Sequence, residues 1–226
     1  MLIIGVTGGV GSGKSTVLKE IEKRDDCYVI RSDDTALRME EKGGRLYVPL
    51  LRILTGLGEE KSPEEVLQEA GEEHLVLPDG ALDRRKIAAK IFGDDALLAK
   101  VNGLVHPAVL EEIREKIREK EEEGTAFFFV ESAIIIEAGY LSILDELWYI
   151  HADLQVRKDR LSRDRGYSEE KTAQVMESQL SEKVFREHAD VCIDNSGELS
   201  SAMRQVEERL ETLGGGQKRA IKKDEV

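Results

Sequence analysis

The sequence is poor in three things. Among 226 residues it has two cysteines, Cys27 and Cys192, far apart and at no metal-ligand spacing. That excludes a disulfide framework and a thiolate metal site, and it suits two reduced, partly buried thiols. No apolar window approaches the roughly 20 residues that span a bilayer, and no basic region precedes an apolar signal core, so a cytoplasmic protein without a membrane partner is expected. Positive charge is also short. The 33 Lys and Arg stand against 46 Asp and Glu, for a net charge of -13, which repels a phosphate backbone and argues against nucleic acid as a partner. What is ample is length and apolar content: 40% hydrophobic residues in 226 suffice for a sizeable core.

The chain opens on a continuous apolar run, Leu2 to Thr7, of the kind buried on both faces of a parallel sheet; Ser15 to Lys23 then has helical spacing of Val17, Leu18 and Ile21. Further strands are expected at Cys27–Ile30, Ala126–Val130, Glu146–Ile150 and Val191–Ile193. Strands alternating with helices imply an α/β fold with a parallel sheet, helices on both faces and ligands at the carboxyl ends of the strands. The stretch from Asp34 to about Gly124 is too long for a crossover and reads as an inserted helical subdomain. Its expected helices include Ala81–Phe92, a short one after Ser62-Pro63, and one that starts near His106 with Pro107 in its first turn and Gly124 as its end signal. Acidic Gly56–Pro78 reads as a surface elaboration. A last amphipathic helix spans Glu198–Leu213, and the remainder, 214–226, reads as a disordered tail.

Chemistry enters at TGGVGSGKST, Thr7 to Thr16. Gly8-x4-Gly13-Lys14-Ser15 between a strand and a helix is the pattern of a phosphate-binding loop. Gly9, Val10, Gly11, Ser12, Gly13, Lys14, Ser15 and Thr16 are the expected nucleotide-binding residues: the glycines let backbone N–H groups wrap the phosphates and the helix start adds its positive end. Lys14 is expected to reach the β and γ phosphates, and Ser15 to offer its hydroxyl to Mg²⁺. A nucleotide with Mg²⁺ is the cofactor this implies, and the loop alone does not separate kinases from ATPases or GTP switches.

The acceptor side carries carboxylates at strand ends. Asp33, in RSDD after the second strand, is the candidate to orient an attacking hydroxyl and take its proton. The alternative is an N-cap for a helix starting near Thr35, a role open equally to Asp34. Glu131 and Asp153 also end strands; Glu131 is the better placed to position Mg²⁺ through water, and Asp153 reads as a helix cap. Arg157, Arg160, Arg163 and Arg165 cluster in VRKDRLSRDRGYS. They suit a lid that closes over ATP and neutralises charge, or an ordinary helix surface paired with Asp159, Asp164 and Glu169.

With these residues in hand, the chain resembles the dephospho-CoA kinase family, P-loop enzymes of the last step of coenzyme A biosynthesis. IIGVTGGVGSGKST, VIRSDD, LDRRKIAAKIF, VNGLVHPAV, VESAIIIEAGY, RLSRDRGYS, SQLSE and VCIDNSG run in family order from Leu2 to Gly197. The resemblance implies a P-loop three-layer sandwich with a five-stranded parallel sheet (about 1–34, 125–155 and 186–213), an inserted helical substrate subdomain (about 35–124) and a lid (about 156–185). It implies phosphorylation by ATP of the 3′-hydroxyl of dephospho-CoA, with a monomer expected. Asp33 then matches the catalytic carboxylate, with Lys14, Arg160 and Arg163 or Arg165 serving transfer. Asp33, Arg84, His106 and Glu131 match substrate-side positions, and Asn195 and Gly197 the segment lining the adenine. The chain departs from the family pattern in reading Arg31-Ser32-Asp33 where many members have DAD, which excludes a paired carboxylate at position 31. Ser132-Ala133-Ile134-Ile135 replaces a Pro-Leu-Leu run, and the lid pattern is shifted to Asp164-Arg165-Gly166. Two other readings belong beside this one: a nucleoside monophosphate kinase, which needs an arginine clamp for a phosphate acceptor more than a carboxylate, and a nucleotide-dependent switch, for which no Asn-Lys-x-Asp motif is present.

Overall fold

A computed structural model describes residues 1–215. Five strands form the sheet: β1 (Leu2–Thr7), β2 (Cys27–Arg31), β3 (Phe127–Glu131), β4 (Glu146–His151) and β5 (Val191–Asp194). The ten helices are α1 (Lys14–Ile21), α2 (Ser32–Met39), α3 (Tyr47–Thr55), α4 (Pro63–Glu72), α5 (Arg84–Ile91), α6 (Asp95–Glu122), α7 (Leu154–Arg165), α8 (Glu169–Glu177), α9 (Glu182–His188) and α10 (Leu199–Gly215). α10 continues through Gly215, two residues beyond the helix end expected at Leu213, and the rest of the expected tail, 216–226, lies outside the described residues.

The strand order is β2-β3-β1-β4-β5. β1 is central, parallel to β3 through Leu2↔Phe127 to Val6↔Glu131, and parallel to β4 through Ile4↔Glu146 to Thr7↔Tyr149. A central parallel strand is buried on both faces, which is why LIIGVT is apolar without alternation. Ile4 and Val6 join Phe127, Phe129, Trp148, Ile150 and Ile193 in a core closed by Val17, Leu18 and Ile21 of α1 and Ala202, Val206 and Leu210 of α10. Those helix positions recur three and four apart and put one apolar stripe against the sheet. Phe129 meets Trp148 edge-on at 5.5 Å between ring centroids, the arrangement the ring quadrupoles favour.

The chain divides into two compact units: Met1–Val29 with the chain from Thr125 onward, and Ile30–Gly124. The second unit has its own core of Tyr47, Leu50, Leu51 and Leu54 of α3, Val66 and Ala70 of α4, and Leu75, Leu82 and Ile87. Gly56–Pro78 is therefore not the surface elaboration its acidity suggested. Val66 and Ala70 are fully buried, and the glutamates occupy the opposite side of an amphipathic helix. That helix starts on a full capping box: Ser62 Oγ accepts from Glu65 N (3.2 Å), Glu65 Oε2 accepts from Ser62 N (2.8 Å), and Pro63 takes the first position.

Two helix boundaries also differ from expectation. α6 begins at Asp95, capped by Asp94 accepting from Leu97 N at 2.9 Å, and runs through Pro107 rather than starting there. Proline at 107 removes the bond to the carbonyl of residue 103 and crowds it; a glycine occupies 103, and a side chain added there would meet nothing within 4 Å. The helix after β2 starts at Ser32, not near Thr35, so Asp33 and Asp34 both lie in its first turn and neither is its N-cap.

Candidate active site

The loop between β1 and α1 is held from several sides. Gly13 caps α1 in the left-handed region at φ 86, a conformation a side chain would strain, and a methyl group there would collide with the Asn195 amide. Its carbonyl receives Thr16 N (3.0 Å) and Val17 N (3.1 Å), and Ser12 N donates to Gly9 O at 3.1 Å. Lys14 Nζ donates to Gly8 O at 2.6 Å. Among the described residues the N–H groups of Gly11, Gly13 and Ser15 have no hydrogen-bond partner. Ser15 and Thr16 are exposed at the start of α1. Free backbone donors, an ammonium and a helix start make a cradle suited to phosphate.

The outer side of the loop is spent on the protein itself. Ser12 O accepts from Asn195 Nδ2 (2.7 Å) and Arg160 Nη1 (3.3 Å), while Arg160 Nη2 donates to Asn195 O at 2.9 Å. Asn195 is 3% exposed; its amide donates to the loop carbonyl, a use that the pattern DNSG alone does not reveal. Gly197 is exposed with open space around it. Arg163 and Arg165, on the last turn of α7, are exposed, and Arg163 Nε donates to Asp164 Oδ1 at 2.6 Å. That guanidinium holds the Asp164 carboxyl below its ordinary range. Of the four arginines of this cluster, Arg157 and Arg160 are thus the two that reach the loop among the described residues. Arg157 Nε donates to Val10 O at 2.9 Å, and Val10 N donates to Gln179 Oε1 at 2.8 Å. Neither Arg157 nor Gln179 stood out as a binding residue; the only signal was their place in the arginine cluster and in SQLSE.

Beside the loop, at the end of β4, a half-buried His151 lies between two carboxylates, 3.5 Å from Asp153 Oδ1 through Nε2 and 3.5 Å from Glu182 Oε1 through Nδ1. Asp153 sits at the N-cap position of α7, but its side chain makes no capping bond. Glu182 is held below the usual carboxylate range chiefly by Arg186, whose Nε donates to it at 2.7 Å. Glu131 ends β3 in register with Val6, one residue before the loop's Thr7, and is half-buried.

In the second unit, Asp33 is exposed, with the Ser32 hydroxyl 3.5 Å from its Oδ1. Arg84 is the first residue of α5, whose N-cap Asp83 accepts from the N–H groups of Arg85 (3.1 Å) and Lys86 (3.0 Å). Its Nη1 donates to Glu40 Oε2 at 2.9 Å. The two line a cleft of about 360 Å³ with Glu41, Lys42, Asp79 and Leu82. His106 is half-buried in the middle of α6 and is not part of that cleft.

Comparison with known proteins bears on both units. A protein-family model described as dephospho-CoA kinase matches residues 2–201. A dephospho-CoA kinase of Streptococcus pyogenes serotype M28 is 32% identical over 94% of this chain and 98% of its own length; that of Carboxydothermus hydrogenoformans is 31% identical over 90% of each. Among solved structures, TT1252 from Thermus thermophilus superposes with a TM-score of 0.73 at 26% identity over 94% of this chain and 97% of its own. A dephospho-CoA kinase from Campylobacter jejuni, at 19% identity, shares the fold with a TM-score of 0.66 over 94% and 98%.

Proposed function

Because the chain belongs to the dephospho-CoA kinase family, we propose that it transfers the γ-phosphoryl group of ATP to the 3′-hydroxyl of the adenosine ribose of dephospho-CoA, giving coenzyme A and ADP. The observation that carries the nucleotide half is the loop cradle, where the unpartnered N–H groups of Gly11, Gly13 and Ser15 and the Lys14 ammonium together offer the charge and donors that a triphosphate needs. Mg²⁺ would be held by the exposed Ser15 hydroxyl, with Glu131 reaching it through water, and supplies charge neutralisation on the phosphates when bound. Lys14 draws charge from the group in flight. Asp33 orients the ribose hydroxyl and accepts its proton as the new P–O bond forms and the bond to the ADP oxygen breaks. Arg160, with Arg163 or Arg165, closes residues 156–185 over the transferred group and excludes water. Arg84 and His106 bind the acceptor, while Asn195 and Gly197 line the adenine.

Among the described residues no helix is long and apolar enough to cross a membrane; we propose a cytoplasmic monomer, the net charge of -13 opposing self-association by mutual repulsion, and sedimentation of the purified protein as a dimer would overturn the monomer. The reaction itself is tested by following ADP formation from ATP and Mg²⁺ with dephospho-CoA, AMP or no acceptor, and weighing the product by mass spectrometry. A phosphate added to dephospho-CoA is the expected result. Preference for AMP, or slow ADP release indifferent to acceptor, would overturn it.

A further inference from the structure

Two side chains of the segment 156–185 have no part in the chemistry just described, and both end on the same residue of the phosphate-binding loop. Val10 N donates to Gln179 Oε1 at 2.8 Å, and Val10 O accepts from Arg157 Nε at 2.9 Å. We propose that Gln179 and Arg157 are positioning residues that clamp Val10 and hold the loop in its ATP-receiving conformation, so that the segment between β4 and β5 sets the affinity for ATP.

Val10 N–H belongs to the rigid plane shared with Gly9, and Val10 C=O to the plane shared with Gly11. Fixing one group fixes one plane; fixing both fixes the φ and ψ between them. The neighbours need that help, since glycines at 8, 9, 11 and 13 give the loop more freedom to lose on ordering than any other residue type would. Arg157 presses on the loop from both sides of Val10: a methyl group at Gly9 would collide with its guanidinium, and one at Gly11 would sit 2.8 Å from its carbonyl. Gln179 comes from a separate place, the link between α8 and α9, and is itself half-buried. With both polar groups of Val10 committed to side chains, the N–H groups left for phosphate are those further along, at Gly11, Gly13 and Ser15. Losing either half of the clamp lets the loop sample conformations that do not receive ATP, and apparent affinity then falls by the fraction of molecules still in the competent one.

The kinetic consequence rests on the kinase reading; the clamp itself does not. Gln179→Leu removes the acceptor at similar volume, and Arg157→Leu removes the donor. Each is expected to raise the KM for ATP about tenfold, with kcat and the KM for dephospho-CoA within twofold of wild type. The double variant is expected to stay near tenfold, because one break already frees the residue. Hydrogen exchange at the Val10 amide gives a readout that needs no turnover: fast in Gln179→Leu, slow again in Gln179→Glu, which keeps an acceptor oxygen. The proposal is overturned by unchanged Val10 exchange in Gln179→Leu, by effects that multiply to about a hundredfold in the double variant, or by a loss confined to kcat. Were the wild-type protein to show no turnover of dephospho-CoA, the kinase reading would fail while Val10 exchange still decided the clamp.

Discussion

Under the proposed function, the two units would hold a charged ligand in opposite ways. In the nucleotide unit the ligand-facing groups are backbone N–H groups and one lysine, and the loop's own carbonyls are satisfied by buried or half-buried side chains: Asn195 and Arg160 on Ser12, Arg157 on Val10, Lys14 on Gly8. In the helical unit the candidate groups, Asp33 and Arg84, are exposed side chains on the first turns of α2 and α5, and Arg84 is held by its bond to Glu40. Backbone donors cannot be substituted and are fixed by packing, whereas exposed charged side chains are screened and mobile. On that reading, the proposed triphosphate site is built into the fold, while the proposed acceptor side depends on a few replaceable groups.

Substitutions sort along that contrast. The largest effect is expected for Lys14→Ala, which leaves the backbone cradle without its ammonium; kcat/KM should fall on the order of 10³-fold in the ADP assay. A loss of only a fewfold would mean that the backbone alone carries the site. Asp33→Asn should lower kcat by about 10²-fold or more while ATP binding by calorimetry stays nearly intact; unchanged turnover would remove Asp33 from the mechanism. Arg84→Ala should raise the KM for dephospho-CoA about tenfold, roughly the worth of one charge-assisted bond, and leave the KM for ATP alone. Equal changes in both constants would contradict the division of labour between the units. Ser62→Ala breaks the capping box of α4 and should cost about 1 kcal/mol in urea denaturation, again with no change in ATP affinity.

The smallest effect concerns acid. Asp194 accepts from the Ser196 hydroxyl at 2.6 Å and the Ser196 N–H at 2.9 Å, and these bonds hold its carboxyl below the ordinary aspartate value. A carboxyl lowered by folding adds stability that is fully present above the unfolded value near 4 and is lost as pH falls through the folded one. Asp194→Asn should therefore melt lower than wild type at neutral pH, and the gap should begin to narrow at about pH 4 and close once pH has fallen below the lowered folded value. A gap constant with pH would show that ionised Asp194 contributes nothing through Ser196.

Much of this was legible because the information was local. An apolar run, glycines at fixed offsets and Lys-Ser define strand, loop and helix start from neighbouring residues alone, and Ser62-Pro63-Glu64-Glu65 announces its capping box in the same way. Misreadings came where burial outranked local signals. Proline at 107 reads as a helix start until Asp94 is seen to cap the helix earlier, and acidic Gly56–Pro78 reads as surface until Val66 and Ala70 are seen to fill a core.

By itself, then, the amino-acid sequence determined the phosphate-binding loop, the parallel α/β architecture around it and the family to which the chain belongs. Only the tertiary structure decided which of four arginines reach the loop, where the Asn195 amide is spent and that Gln179 meets Val10 at all. Those contacts join residues more than a hundred positions apart, and no periodicity or spacing encodes a partner that the chain reaches only after the sheet has brought the ends of β1, β4 and β5 together.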